Sequence, residues 1–222
     1  MPISNTSVSS IQFWVNTGSR NESSENNGIS HFLEHLLFKG SKKYPSARQI
    51  SELIEGQGGY LNAGTSYDVT YYHATLPGEH VMTALDVLAD LTLNPTFTPA
   101  DVETERRVVI EELRRSLDRP TTIFYENHQK HIFKDHPYGR TILGPLKNLK
   151  TMSHADLMNY FNAYYRPNNL TLVIAGDFNR AEVLNFIKNH PLTKTKFPKP
   201  QFSDIAFPNT DSQKSKARPG LC

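Results

Sequence analysis

The sequence predicts an α+β fold, a mostly antiparallel β-sheet covered by several α-helices. Three observations point there. Strand-like segments fall near 8–17, 60–76 and 169–176. Several helical segments follow one another between and after them. Two of the strands are joined by a turn too short for anything but an antiparallel neighbour. No internal repeat suggests a solenoid or propeller.

Each element has its own signal. In residues 8–17 (VSSIQFWVNT), Ile11, Phe13 and Val15 alternate with Trp14 among them, which reads as a strand. A polar loop runs from Gly18 to Gly28. Residues 29–39 are apolar on most sides and read as a buried helix ending at Gly40. A second helix follows Ser46, with Ile50, Leu53 and Ile54 on one face, and stops at Gly56, Gly58 and Gly59. YLNAGT and DVTYYHATL read as two strands around a Ser66-Tyr67 turn. A third helix covers about 79–93 and ends at Asn94-Pro95. The fourth carries Thr98 as N-cap, Pro99 at the first helical position and Asp101 as a capping-box acid, and runs to Leu117. Pro120 opens a further helix through Phe133, and HPYG (136–139) is a turn. Ser153 caps a helix to Tyr164, which Pro167 stops. NLTLVIAG (169–176) is a strand, and Asn179 caps a last helix to Asn189.

Composition narrows the function classes. Hydrophobic residues make up 37% and charged residues 21% of 222 residues, an ordinary globular balance. A net charge of +2 gives no reason to expect nucleic acid or an anionic membrane. The single cysteine, Cys222, permits neither an internal disulfide nor a cysteine-built zinc site. No apolar run reaches transmembrane length, and MPISNTSVSS lacks the features of a secretory signal. A bacterial cytoplasm or periplasm and an organelle matrix all remain open as compartments.

The chemistry centres on His31, Phe32, Leu33, Glu34 and His35, an H-x-x-E-H pattern. On a helix, positions four apart share a face, so both imidazoles can reach one metal ion. Two neutral histidines and a carboxylate make a hydrolytic zinc site with a fourth position for water. Glu34 is placed to take the proton of that acidified water. Such a pattern also recurs by chance. Here its helix is rich in Phe and Leu, where two histidines and a glutamate are costly unless they bind something. A third ligand is available from the fourth helix, which carries Glu103, Glu105, Glu111 and Glu112. Glu105 and Glu112 share a face, and Glu111 points about 100° from Glu112. Spacing alone does not choose between Glu111 and Glu112. The ordinary role for these acids is a solvated face paired with Arg106, Arg107, Arg114 and Arg115.

GSRNE (18–22), GISHFLEHLLFKGS (28–41), GGYLNAGTSYDVTYY (58–72), HPYG and YYRPNNLTLVIAGD (164–177) resemble, in order, the blocks of the pitrilysin/insulinase family of inverted-motif zinc metallopeptidases. Bacterial and mitochondrial processing-peptidase-like members are the most similar in style. The family's metal signature is completed by a glutamate after 76 intervening residues, which is Glu112 here. The resemblance therefore implies Zn²⁺ held by His31, His35 and Glu112. It implies Glu34 as general base and Glu105, seven residues before the ligand, as an acid that orients or assists the site. It implies that Asn62, Ala63 and Gly64 pair with an extended peptide substrate by adding a strand. Fold and activity would be those of the catalytic half of a clamshell endopeptidase. Residues 1–200 are then the catalytic domain, with the family's first strand missing, and 201–222 a linker or tail. A second homologous domain or subunit, bearing an Arg and a Tyr, would close the cleft. The competing reading is a non-catalytic or partner-dependent half of the same family.

His128 and His131, three apart on a predicted helix, are expected to be surface or locally bonded histidines, and His136 a structural residue at its turn. No serine or cysteine has a nucleophile's surroundings, and there is no glycine-rich phosphate loop.

Overall fold

The computed structural model describes residues 1–3, 5–191, 196–200 and 202. Four strands form one sheet: β1 (Val8–Val15), β2 (Tyr60–Thr65), β3 (Thr70–Pro77) and β4 (Leu170–Gly176), in the order β2-β3-β1-β4 with all neighbours antiparallel. Phe13 sits opposite Tyr72 on one side and Leu172 on the other, and Ala63 sits opposite Tyr72. This register puts Ile11, Phe13, Val15, Tyr72, Ala74, Leu76 and Ile174 on one buried face. A one-residue slip would turn that whole set to solvent, so the pattern fixes the pairing. The opposite face carries Gln12, Trp14, Tyr71 and His73, with Trp14 stacked on Tyr71 at 4.8 Å.

Eight helices accompany the sheet among the described residues: α1 (Ile29–Leu37), α2 (Ala47–Ile54), α3 (Val81–Leu93), α4 (Pro99–Leu117), α5 (Pro120–Phe133), α6 (Leu146–Thr151), α7 (His154–Tyr164) and α8 (Arg180–Asn189). α1 and α3 pack on the apolar face, and α4 lies against α1. Phe32, Leu33, Leu36 and Leu37 of α1 are fully buried. At about 1.5–3 kcal/mol each, they can carry polar residues on the same helix. The Thr98–Asp101 and Ser153–Asp156 capping boxes form, and Ser46 and Asn179 cap α2 and α8.

The structure differs from the sequence expectation in detail. The β2–β3 turn spans Ser66 to Val69 because the Ser66 hydroxyl accepts from the amides of Asp68 and Val69, drawing both out of the strand. The start of the third helix is a 3-10 turn, Gly78–His80. α6 was not foreseen: it is six residues long and has no side-chain cap to announce it. Arg106 pairs with Glu103 as expected, but its side chain is only 12% exposed. Its guanidinium donates to the carbonyls of Leu149 and Met152 and ties α4 to the end of α6. The described part of the proline-rich segment lies against the body, the carbonyls of Phe197 and Pro198 accepting from Asn168 and Arg166. Apart from Phe202, the stretch 201–222 read as a tail lies outside the described residues.

Candidate metal centre

α1 and α4 cross so that two imidazoles and one carboxylate converge. The Nε2 atoms of His31 and His35 stand 3.3 Å apart. Oε2 of Glu112 is 3.2 Å from Nε2 of His35 and 3.5 Å from Nε2 of His31. Among the described residues this is the one cluster of three metal-capable side chains. The spacing can be compared with that of a metal site. Ligands held 2.0–2.1 Å from a tetrahedral ion lie about 3.3–3.4 Å from one another. All three observed separations fall close to that value, and the donor set of two imidazoles and a carboxylate suits zinc. Glu111 turns away and pairs with Arg114, both more than half exposed.

The two histidines differ in their surroundings. Nδ1 of His35 is 3.0 Å from Oε1 of Glu105. A carboxylate only accepts, so Nδ1 donates to Glu105 and Nε2 is the ring nitrogen that faces the cluster. Lys39 pairs with the other oxygen of Glu105, itself 5% exposed. Burial alone would raise Glu105's pKa, but His35 and Lys39 hold it below the usual value. Burial likewise opposes charge on His35, yet Glu105 and Glu112 outweigh it and raise its pKa to about 9. His31 goes the other way, to about 4, through burial and then the charge of His35, with Glu112 opposing. Its Nδ1 is buried with no hydrogen-bond partner among the described residues. Glu112 is held low, first by His35.

Glu34 stands beside the cluster. Its Oε2 accepts from the Thr65 hydroxyl at 2.6 Å. Burial raises its pKa against that hydrogen bond and the attraction of His35. Glu34, both histidines, Glu105, Glu112, Asn62 and Ala63 line one open cleft of about 450 Å³. Asn62, Ala63 and Gly64 lie on β2, the sheet's edge strand on this side. Oδ1 of Asn62 accepts from the Ala63 amide at 2.8 Å. Gly64 admits the ring of Tyr71, since a Cβ there would come within 2.6 Å of its hydroxyl oxygen. The sequence reading missed Thr65 and Lys39. Each meets its partner across 31 or more positions, which no local pattern marks.

His128 and His131 sit on α5, which buries none of its side chains. His128 stacks on Phe124 at 6.0 Å. His136 is buried, and its Nδ1 accepts from the Tyr138 amide within the turn.

Within the α+β layer, a buried helix and its neighbour present two imidazoles and a carboxylate in an arrangement that could hold a metal ion. The profile of the insulinase family (peptidase family M16) matches residues 2–146, and that of the peptidase M16 inactive domain matches 151–219. The chain belongs to the insulinase family, peptidase family M16. It is 36% identical over 181 residues to a probable mitochondrial-processing peptidase subunit beta of Arabidopsis thaliana, covering 82% of this chain and 34% of that protein. It is 40% identical over 167 residues to the uncharacterized zinc protease YmxG of Bacillus subtilis (strain 168), covering 75% of this chain and 41% of that protein. A protease from Helicobacter pylori superposes with a TM-score of 0.83 at 27% identity, over 91% of this chain and 50% of that one. The chain thus spans well under half the length of the curated relatives it matches. No helix among the described residues is long and apolar enough to cross a membrane.

Proposed function

We propose that this chain is the zinc-binding catalytic half of an endopeptidase acting on short or extended polypeptides. The observation that carries the reading is the triangle of His31, His35 and Glu112 donor atoms at 3.2–3.5 Å, with Glu34 held apart from it by Thr65. His31, His35 and Glu112 would hold Zn²⁺. When bound, zinc supplies polarisation of the scissile carbonyl and a water acidified towards neutral pH. Glu34 accepts the proton of that water and returns it to the leaving amine. Burial raises this carboxyl's pKa, which makes it the stronger base for the water's proton. Glu105 orients His35 and keeps its lone pair on the site. The β2 edge at Asn62–Gly64 aligns the peptide backbone, which reads main chain and so accepts varied sequences.

A partner-dependent half is the second reading, favoured by the chain's covering only 34% and 41% of two relatives. A complementary domain or subunit would then supply the other wall of the cleft. The test is hydrolysis of a quenched fluorescent peptide by the zinc-loaded chain, alone and mixed with the second half of a relative. Activity removed by chelator and restored by zinc is expected. Stoichiometric zinc with no hydrolysis in either mixture would contradict catalysis and leave a scaffold.

A further inference from the structure

The helix bearing both histidines begins without a side-chain cap. Its N-cap is Gly28, at φ +102°, which offers no side chain. The cap comes instead from Glu22, six residues upstream and 4% exposed. Oε2 of Glu22 accepts from the Gly28 amide and from Nδ2 of Asn27, each at 2.8 Å, and Oε1 accepts from the Ser30 amide at 2.8 Å. Burial raises the carboxyl's pKa, and these donors oppose it by favouring the ionised form. The rest of the anchor is equally directional. The Glu22 carbonyl accepts from Arg140 at 2.7 Å, and Asn27 also donates to the Thr141 carbonyl at 2.9 Å. Gly28 lies so close to the Leu143 backbone that a Cβ would come within 2.6 Å of its carbonyl oxygen.

We propose that Glu22 is a positioning residue for the metal centre, setting the height and rotation of α1 so that His31 and His35 meet Glu112. This rests on the zinc reading above. α1 has nine residues; beyond Ser30 to Tyr160, Glu34 to Thr65 and His35 to Glu105, it is held by its buried Ile29, Phe32, Leu33, Leu36 and Leu37. Apolar packing is non-directional and permits a helix to slide or roll by tenths of an ångström. A tetrahedral site does not tolerate that, because ligand distances hold to about ±0.2 Å. The Ser30 amide gripped by Glu22 belongs to the residue directly before His31. α4, which brings Glu112, is tied separately through Arg106 to α6. The two helices meet directly through His35 and Glu105, and each is also held by a polar anchor of its own, Glu22 for α1 and Arg106 for α4.

A glutamine at 22 would set an NH₂ group against one of the helix amides. The experiment compares zinc affinity by competition with a chelating dye, and the visible spectrum of the cobalt(II)-loaded protein, in wild type, Glu22→Gln and Asp90→Asn. Asp90 is a matched control: a buried carboxylate accepting from Ser41, the Lys43 amide and Asn94 on another part of the fold. Both variants are expected to lower the melting temperature. Only Glu22→Gln is expected to weaken zinc, by about 10- to 100-fold, and to shift the cobalt bands. Zinc affinity within twofold of wild type and an unchanged cobalt spectrum in Glu22→Gln would overturn the proposal, as would equal zinc losses in both variants. Should Glu22→Gln not fold, Asn27→Ala removes one donor and leaves both amides. A measurable loss of zinc affinity, smaller than that of Glu22→Gln, is then expected, and none would overturn the proposal. A wild-type chain that binds no zinc would instead overturn the metal reading beneath it.

Discussion

Two helices of this chain carry histidine pairs on one face, with opposite outcomes. On α1, His31 and His35 are four apart, His31 is 7% exposed, and a carboxylate from α4 reaches both rings. On α5, His128 and His131 are three apart on a helix that buries nothing. Helical spacing qualifies both pairs as ligands. Three further features separate them. The α1 pair is desolvated, so its polarity needs compensation. It faces an acid 77 positions away. One ring is oriented by Glu105 from behind. The difference teaches that histidine spacing is permissive, and that burial plus a distant carboxylate is decisive.

Breaking the α1 site tests this most severely. Glu34→Gln is expected to keep zinc and lower peptide hydrolysis by about 10²–10⁴-fold; near wild-type turnover would remove Glu34 from the chemistry. Next come the ligands. His31→Ala and Glu112→Ala are each expected to weaken zinc by about 10²–10³-fold, a share of the 10–16 kcal/mol typical of whole sites. Isothermal titration would read this, and full affinity in either variant would strike that residue from the set. Glu105→Gln retains the hydrogen bond to His35 while losing the charge, so a smaller loss of about tenfold is expected.

The pH response sharpens the same contrast between environments. His35 is raised to about 9 from 6.5, so its charge stabilises the metal-free fold fully below pH 6.5, and that stability is lost as pH rises through 9. Zinc needs the neutral ring and must expel this proton. Zinc affinity is therefore expected to rise about tenfold per pH unit from 6.5 to 8.5 and to level above 9. His31, lowered to about 4, is already neutral there and adds no slope. A flat profile would show that His35 does not hold a proton in the free site. The smallest effect is expected on α5, where the double variant His128→Ala/His131→Ala should leave zinc stoichiometry and hydrolysis unchanged.

Much of this contrast was legible in the sequence because it is local. Thr98 with Asp101, Pro120, Ser153 and Asn179 each announced a helix start that the structure contains. The H-x-x-E-H spacing placed His31 and His35 on one face. What stayed hidden depends on which distant segments meet. Spacing could not choose Glu112 over Glu111, whereas the crossing of α1 and α4 turns one inward and leaves the other with Arg114. Arg106 read as a surface charge because two of its acceptors, the carbonyls of Leu149 and Met152, lie at the end of α6, a helix too short to signal itself. Glu22 closes the GSRNE segment with no visible duty, since its partners are two backbone amides and the Asn27 side chain.

The central claim is that one divalent cation sits between α1 and α4. Diffraction from zinc-loaded crystals, collected on both sides of the zinc absorption edge, would locate it. The expected result is a single anomalous peak about 2.0–2.2 Å from Nε2 of His31, Nε2 of His35 and a carboxylate oxygen of Glu112. A peak elsewhere on the chain, or none at these three atoms in zinc-saturated crystals, would contradict the account.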